Sequence, residues 1–294
     1  VEQLDSDFTN MTVGIIGLGL IGGSYARGLR KLRVKHLIGI DVDETALQQA
    51  LSEQVIDEAG TTGSEALQQA ELLIFCLPDQ VMVRFIRDNV RYFHPQVVLT
   101  DVSGIKGHTA EQIQPLLSAG MDFISGHPMA GREGKGFSQS DAAIFDKANY
   151  ILVPRKENHR EHIELIRQLA LALGCRHIAE VTPQEHDRMI AYTSSLPHVL
   201  ATALVNSRSM NDMTKYFIAG SFRDGTRVAD INGPLWTKLF MQNKQNLLEE
   251  INRFQESLDL FRQYLKEGDE QGMEQYLDEA AVRRRELVYE NHSR

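Results

Sequence analysis

Residues 12–24 read TVGIIGLGLIGGS. TVGIIG is a short apolar run without alternation, as expected of a strand buried on both faces. Behind it, Gly17-x-Gly19-x-x-Gly22 opens a stretch of helical character over 21–31. Gly17 permits a tight turn, Gly19 lets backbone approach a pyrophosphate, and Gly22 lets the helix pack closely on the strand. The helix N-terminus attracts the anion. Such a turn alone is weak evidence. Here a second strand, HLIGID (36–41), ends in Asp41, about 20 residues on, where a carboxylate can accept hydrogen bonds from a ribose. Gly17, Leu18, Gly19, Leu20, Ile21, Gly22 and Asp41 are therefore the candidate dinucleotide-binding residues. Asp41 would repel a 2′-phosphate, which favours NAD over NADP; Arg30, Lys31 and Arg33 all precede the second strand. Asp41 could instead be a solvated strand end or the cap of the next helix.

Further strands are expected at LLIFCLP (72–78), VVLTDV (97–102), DFISGH (122–127) and YILVP (150–154). Helices are expected at 43–53, 64–70, 79–91 and 105–117, and a helix at 157–173 with a strand in CRHIAEV closes this half. Leu77-Pro78 suits a loop beside the cofactor or the start of the next helix. Alternating strands and helices imply an α/β, Rossmann-type, doubly wound and mainly parallel sheet. After Thr182 the pattern turns all-α. Pro183 fits a first helical turn, and Pro197 should kink its helix. GSFRDGTRVADINGP (220–234) reads as a loop or short turns. LWTKLFMQNKQNLLEEINRFQESLDLFRQYLKEG reads as one long amphipathic helix ended by Gly268, with a last helix over 269–290. The expected division is a loosely ordered segment 1–10, a dinucleotide-binding domain 11–180 and an all-α domain 181–294.

At 294 residues the chain can bury a sizeable core, and its 42% hydrophobic and 24% charged shares are ordinary for a globular protein. Net charge is −9, which disfavours nucleic acid and anionic membrane as partners. Cys76 and Cys175 form neither a metal pattern nor a disulfide framework, so a reducing cytoplasm is expected. No apolar run reaches the roughly 18 residues that a membrane span needs.

In an open α/β sheet, ligands bind beyond the carboxyl ends of the strands. His127 lies at such an end, in SGHPMAGREGKGF (125–137), as do Asp101, Ser103 and Lys106 in DVSGIKG. A neutral imidazole there can take a proton from a hydroxyl while hydride leaves the same carbon for a nicotinamide. The alternative is a histidine that only hydrogen-bonds backbone in a glycine-rich loop.

HPMAGRE, together with GLGLIGGS, HDRMIAYTSSLPH and SFRDGTRVA…PLWTKLFMQNK, resembles the prephenate/arogenate dehydrogenase family of tyrosine biosynthesis. The resemblance runs from about Met11 to the last helix, and is to the short, monofunctional form. It implies oxidative decarboxylation of prephenate to 4-hydroxyphenylpyruvate with reduction of NAD. It also implies His127 as the catalytic proton acceptor and Arg227 as the substrate-binding arginine, whose guanidinium suits a carboxylate. Arg223 is a weaker candidate, and Arg132 and Lys135 add positive charge for a dianion. His186 and His198 are placed near the active site as substrate-binding residues. They are 12 residues apart, a little over three turns of one helix. Glu133 either gates the pocket or is solvated. Many relatives carry a serine two places before the lysine of the DVSGIKG loop, whereas here that place is Gly104 and Ser103 precedes it. Either the loop shifts so that Ser103 is the catalytic hydroxyl, or the contact is lost. Trp236 and the LFMQNK stretch read as helix packing, and the resemblance implies that the C-terminal helices join two chains into a homodimer.

Two other readings are open. A 3-hydroxyacid dehydrogenase would use Lys106 for catalysis. A catalytically silent NAD-binding sensor would have no evident need of both His127 and Arg227. Prephenate and arogenate differ only by a keto or amino group, and NAD tilts the reading to prephenate.

Overall fold

Threonine, valine, glycine and two isoleucines make up the first strand, β1 (Thr12–Ile16), and all five residues are buried. The computed structural model describes residues 8–107, 109–131 and 134–287. Val1–Asp7 lie outside it. Of the segment expected to be loosely ordered, Phe8–Asn10 form a 3-10 turn, and Phe8 packs into the core at 6% exposure.

The chain divides into two units, 1–190 and 191–294. In the first, β1 leads to α1 (Leu20–Lys31), β2 (His36–Ile40), α2 (Glu44–Ser52), β3 (Glu58–Gly60), β4 (Leu72–Phe75) and α3 (Asp79–Asn89). Then follow β5 (Val98–Asp101), α4 (Thr109–Ile113), β6 (Asp122–Pro128), β7 (Asn149–Val153), α5 (Arg160–Ala172), β8 (His177–Glu180) and α6 (Pro183–Ile190). The sheet order is β3-β2-β1-β4-β5-β6-β7-β8, and every pair is parallel except β6–β7. Successive strand residues face opposite sides. Val13, Ile15, Leu72 and Ile74 pack with α1, α2 and α5, whereas Ile16, Leu73 and Phe75 pack with α3. Two apolar layers thus sandwich the sheet, the doubly wound arrangement expected.

Three details differ from expectation. The three-residue strand β3 has too few residues to carry a pattern. Residues 65–69 form a 3-10 helix, and the expected 105–117 helix shrinks to α4 and one 3-10 turn, since residues 101–107 are held in a loop by side chains described below. Pro78 occupies the N-cap position of α3, which agrees with a proline starting that helix.

The second unit is helical: a π-helical segment Ala191–Ser195, α7 (Leu196–Val205), α8 (Gly220–Thr226), α9 (Gly233–Gln242), α10 (Lys244–Glu267) and α11 (Glu270–Glu286). The expected loop over 220–234 is mostly α8 and a 3-10 turn Arg227–Ala229. The single long helix is broken at Asn243 into α9 and α10. Gly268 ends α10 in the left-handed region, φ +67°, where a side chain would be strained. The last helix was expected to reach 290, but residues 288–294 lie outside the description. Among the described residues no helix is long and apolar enough to cross a membrane.

Candidate active site

The glycine turn after β1 is shaped by three different constraints. Gly17 has φ +97°, and a Cβ there would meet the Cys76 carbonyl oxygen at 2.5 Å. A Cβ on Gly22 would lie 1.8 Å from the Gly17 carbonyl oxygen, so only glycine lets α1 approach β1. A Cβ on Gly19 would meet nothing within 4 Å. Gly19 is also the N-cap of α1 and offers no capping side chain, so the first amides of that helix are left for a ligand. Leu20 and Ile21 form its first turn. This is a cradle that fits a pyrophosphate.

Asp41 follows β2 and closes the turn from the side. Its carboxylate accepts the Leu18 N–H at 2.5 Å and the Asp43 N–H at 2.9 Å. The cap of α2 is Asp43, which accepts from Thr45 and Ala46, so Asp41 is not spent as a helix cap. Burial and the nearby Asp101 push the Cys76 thiol up, which leaves this sulfur beside the turn unreactive.

Beyond the ends of β5 and β6 lies a buried polar cluster. Asp101 and Lys106 are 1% and 3% exposed. The Lys106 ammonium donates to Asp101 at 2.9 and 3.1 Å and to the Gly126 carbonyl at 2.5 Å. Asp101 also accepts from Ser125 Oγ at 2.7 Å, the Gly126 N–H at 3.1 Å and the Ser103 hydroxyl. Burial would raise the Asp101 carboxyl, but the Lys106 charge and the hydroxyl donors outweigh it and hold it below the usual carboxylate range. Ser103 Oγ also accepts from Lys106 Nζ at 3.3 Å. Lys106 thus has a partner for each of its three N–H bonds.

His127 sits on β6 with Nδ1 2.9 Å from Nε2 of His186, on α6. His186 is 1% exposed, and its Nδ1 lies 2.7 Å from Asp187 Oδ1. Asp187 accepts the backbone N–H of Lys106 at 2.8 Å and of Gly107 at 2.7 Å. Burial would raise its carboxyl, but the hydrogen bonds from His186, Lys106 and Gly107 win and lower it. Burial, then the Lys106 charge and His186, push the His127 imidazole down to about 3, against the opposing pull of Asp101 and Asp187. His127 is therefore neutral near neutrality. Its Nε2 faces Gly104, whose Cβ, if present, would lie 4.0 Å away. Expected as a substrate ligand, His186 instead has both ring nitrogens engaged by protein groups.

Other candidates lie in the second unit. His198, on α7, donates from Nδ1 to the Ser194 carbonyl at 2.8 Å and stacks on Trp236, ring centroids 3.7 Å apart. Arg227 is exposed and begins a 3-10 turn packed against α7; Arg223 is exposed on α8. Residues 191–195, between His186 and His198, are π-helical. Arg132 and Glu133 lie outside the described residues. Sequence reasoning missed Asp187 as a ligand of the 101–107 loop and Asp101 as the buried counter-charge of Lys106. The His-Asp dipeptide was the one visible signal.

A glycine cradle for a dinucleotide, with a neutral histidine near the end of β6 in the same sheet, defines a nicotinamide-dependent oxidoreductase of the Rossmann class. The sequence matches the family models for the prephenate dehydrogenase nucleotide-binding domain over residues 25–179 and the prephenate dehydrogenase dimerization domain over 182–279. The chain belongs to the prephenate dehydrogenase family. It is 29% identical to the prephenate dehydrogenase of Bacillus subtilis (strain 168) over 275 residues, covering 92% of this chain and 74% of the relative. It superposes on the crystal structure of prephenate dehydrogenase from A. aeolicus in complex with hydroxyphenyl propionate and NAD+ with a TM-score of 0.86 and 26% identity, covering 97% and 100% of the two chains. For Synechocystis arogenate dehydrogenase the TM-score is 0.84 and the identity 28%, covering 95% and 100%.

Proposed function

We propose that this chain is a prephenate dehydrogenase, converting prephenate and NAD+ to 4-hydroxyphenylpyruvate, CO2 and NADH, in tyrosine biosynthesis. The observation that carries the reading is His127, a neutral imidazole at a strand end in the same unit as the dinucleotide cradle. The bound dinucleotide supplies the hydride acceptor. Gly17–Gly22 hold its pyrophosphate, and Asp41 accepts from its ribose hydroxyls and disfavours a 2′-phosphate. His127 Nε2 takes the proton of the ring hydroxyl as C4 is oxidised. The ring carboxylate leaves as CO2, and the bond's electron pair makes the ring aromatic. The proton then returns from His127 to the phenolic oxygen, so no net proton is consumed. Gly104 leaves the space beside Nε2 open for that hydroxyl. Ser103 acts through Asp101 and Lys106, holding the loop rather than touching the reacting atoms.

Arg227 is assigned to a substrate carboxylate, for which its planar donors are suited. His198, its ring fixed by Ser194 and Trp236, is assigned to the substrate pocket, with Arg132 adding positive charge. The helical half pairs two copies: exposed Met241, Leu258 and Leu265 give α9 and α10 apolar surface for a partner. A monomer by light scattering would contradict that pairing. The net charge of −9 argues against nucleic acid as a partner. The two free cysteines favour a reducing cytoplasm.

The test is nicotinamide reduction with prephenate or arogenate, each with NAD or NADP. Turnover of prephenate with NAD is expected. Turnover of arogenate alone keeps the chemistry and changes the substrate, and silence throughout contradicts the reading.

A further inference from the structure

The hydrogen-bond chain behind His127 ends on an acceptor, and this fixes its direction. Both Asp187 oxygens receive backbone amides, from Lys106 and Gly107. An ionised carboxylate has no proton to give, so it accepts from His186 Nδ1 at 2.7 Å. A neutral ring with its proton on Nδ1 carries a lone pair on Nε2. That atom lies 2.9 Å from His127 Nδ1, which must then be the donor. The remaining lone pair of His127 is on Nε2, on the side facing Gly104.

We propose that His186 and Asp187 are positioning residues that lock His127 in its Nδ1–H tautomer, so that Nε2 always presents a lone pair to the substrate hydroxyl. This rests on reading His127 as the proton acceptor. Without the pair, the ring is free to carry its proton on either nitrogen, and a proton on Nε2 blocks the base. The lock also matters after proton transfer. The groups facing the resulting imidazolium are Lys106, His186, Asp101 and Asp187. Lys106 opposes the charge, and the Asp187 carboxylate reached through His186 favours it. Because Asp187 also holds the Lys106 and Gly107 amides, one side chain sets both the loop after β5 and the ring on β6.

The direct test is a nitrogen–proton correlation spectrum of the histidine rings in this chain with NAD bound. The His127 signals are identified by their loss in His127→Asn. The expected spectrum shows His127 protonated at Nδ1 and bare at Nε2. In His186→Leu and Asp187→Ala the two tautomers mix, and kcat falls roughly 10²–10⁴-fold with KM for NAD unchanged. His186→Gln, whose amide oxygen can accept from Nδ1, restores the tautomer and part of the rate. A proton on Nε2 in the parent protein, as an imidazolium at His186 would cause, overturns the proposal. So does a full rate with an unchanged tautomer in His186→Leu. If that variant fails to fold, the parent spectrum decides. Full activity in His127→Asn is a separate failure, of the base assignment, and leaves the spectrum readable.

Discussion

His127 Nδ1 and His186 Nε2 lie 2.9 Å apart, with Asp187 closing the far side of His186 at 2.7 Å. The imidazole whose Nε2 faces Gly104 is thus backed by buried groups, and burial is the main reason its affinity for protons is low. The pH profile should reflect this. The neutral ring is the active form, and its titration is displaced from 6.5 down to about 3. No acid limb in kcat/KM with a midpoint near 6.5 is expected from this group. An observed limb there, absent in a variant at position 127, would count against the buried geometry. Stability has the same cause and a definite sign. Between 6.5 and about 3 the unfolded chain binds a proton that the folded chain refuses, so stability falls as pH drops through that window. Acid unfolding of His127→Asn, followed by circular dichroism, should be less steep there.

Gly19 and Gly22 should separate binding from folding. Gly22→Ala places a methyl group 1.8 Å from the Gly17 carbonyl and should lower the melting temperature markedly. Gly19→Ala meets no protein atom within 4 Å, so it should melt like the parent yet bind NAD more weakly, by about tenfold or more. Calorimetric titration and thermal melts read the two effects. Equal destabilisation by both would contradict the cradle.

Lys106→Met would leave Asp101 buried and unpaired, with side-chain exposures of 2% and 1% for the pair. Breaking a buried pair from one side costs about 3–5 kcal/mol. Urea unfolding should show a loss of that order, and a neutral effect would mean that the carboxyl takes up a proton at little cost.

Arg227→Ala should raise KM for prephenate about 10–100-fold and lower kcat less, as for a charge-assisted contact made in both ground and transition states. An unchanged KM would return Arg227 to the surface.

Most of the fold was legible because the parallel strands are buried on both faces and so appear as unbroken apolar runs. β1, β2, β4 and β5 all announce themselves in this way. The break at Asn243 was not legible, since apolar residues at helical spacing continue across it. Nor was the π-helical segment before Pro197; the sequence pointed to a proline kink, and hydrogen-bond slippage over residues 191–195 carries no residue signature. At the site, His127 and Asp41 stood out by their positions at strand ends. The Asp101–Lys106 pair and the Asp187 clasp on the 101–107 loop did not, because the clasp joins residues some 80 positions apart.

The chemistry depends above all on His127 as the proton acceptor, and His127→Asn tests this most directly. Its turnover of prephenate and its affinity for NAD should be measured on the same preparation. A rate reduced roughly 10²–10⁴-fold with NAD binding retained is the predicted result. Full turnover with NAD and prephenate would contradict it.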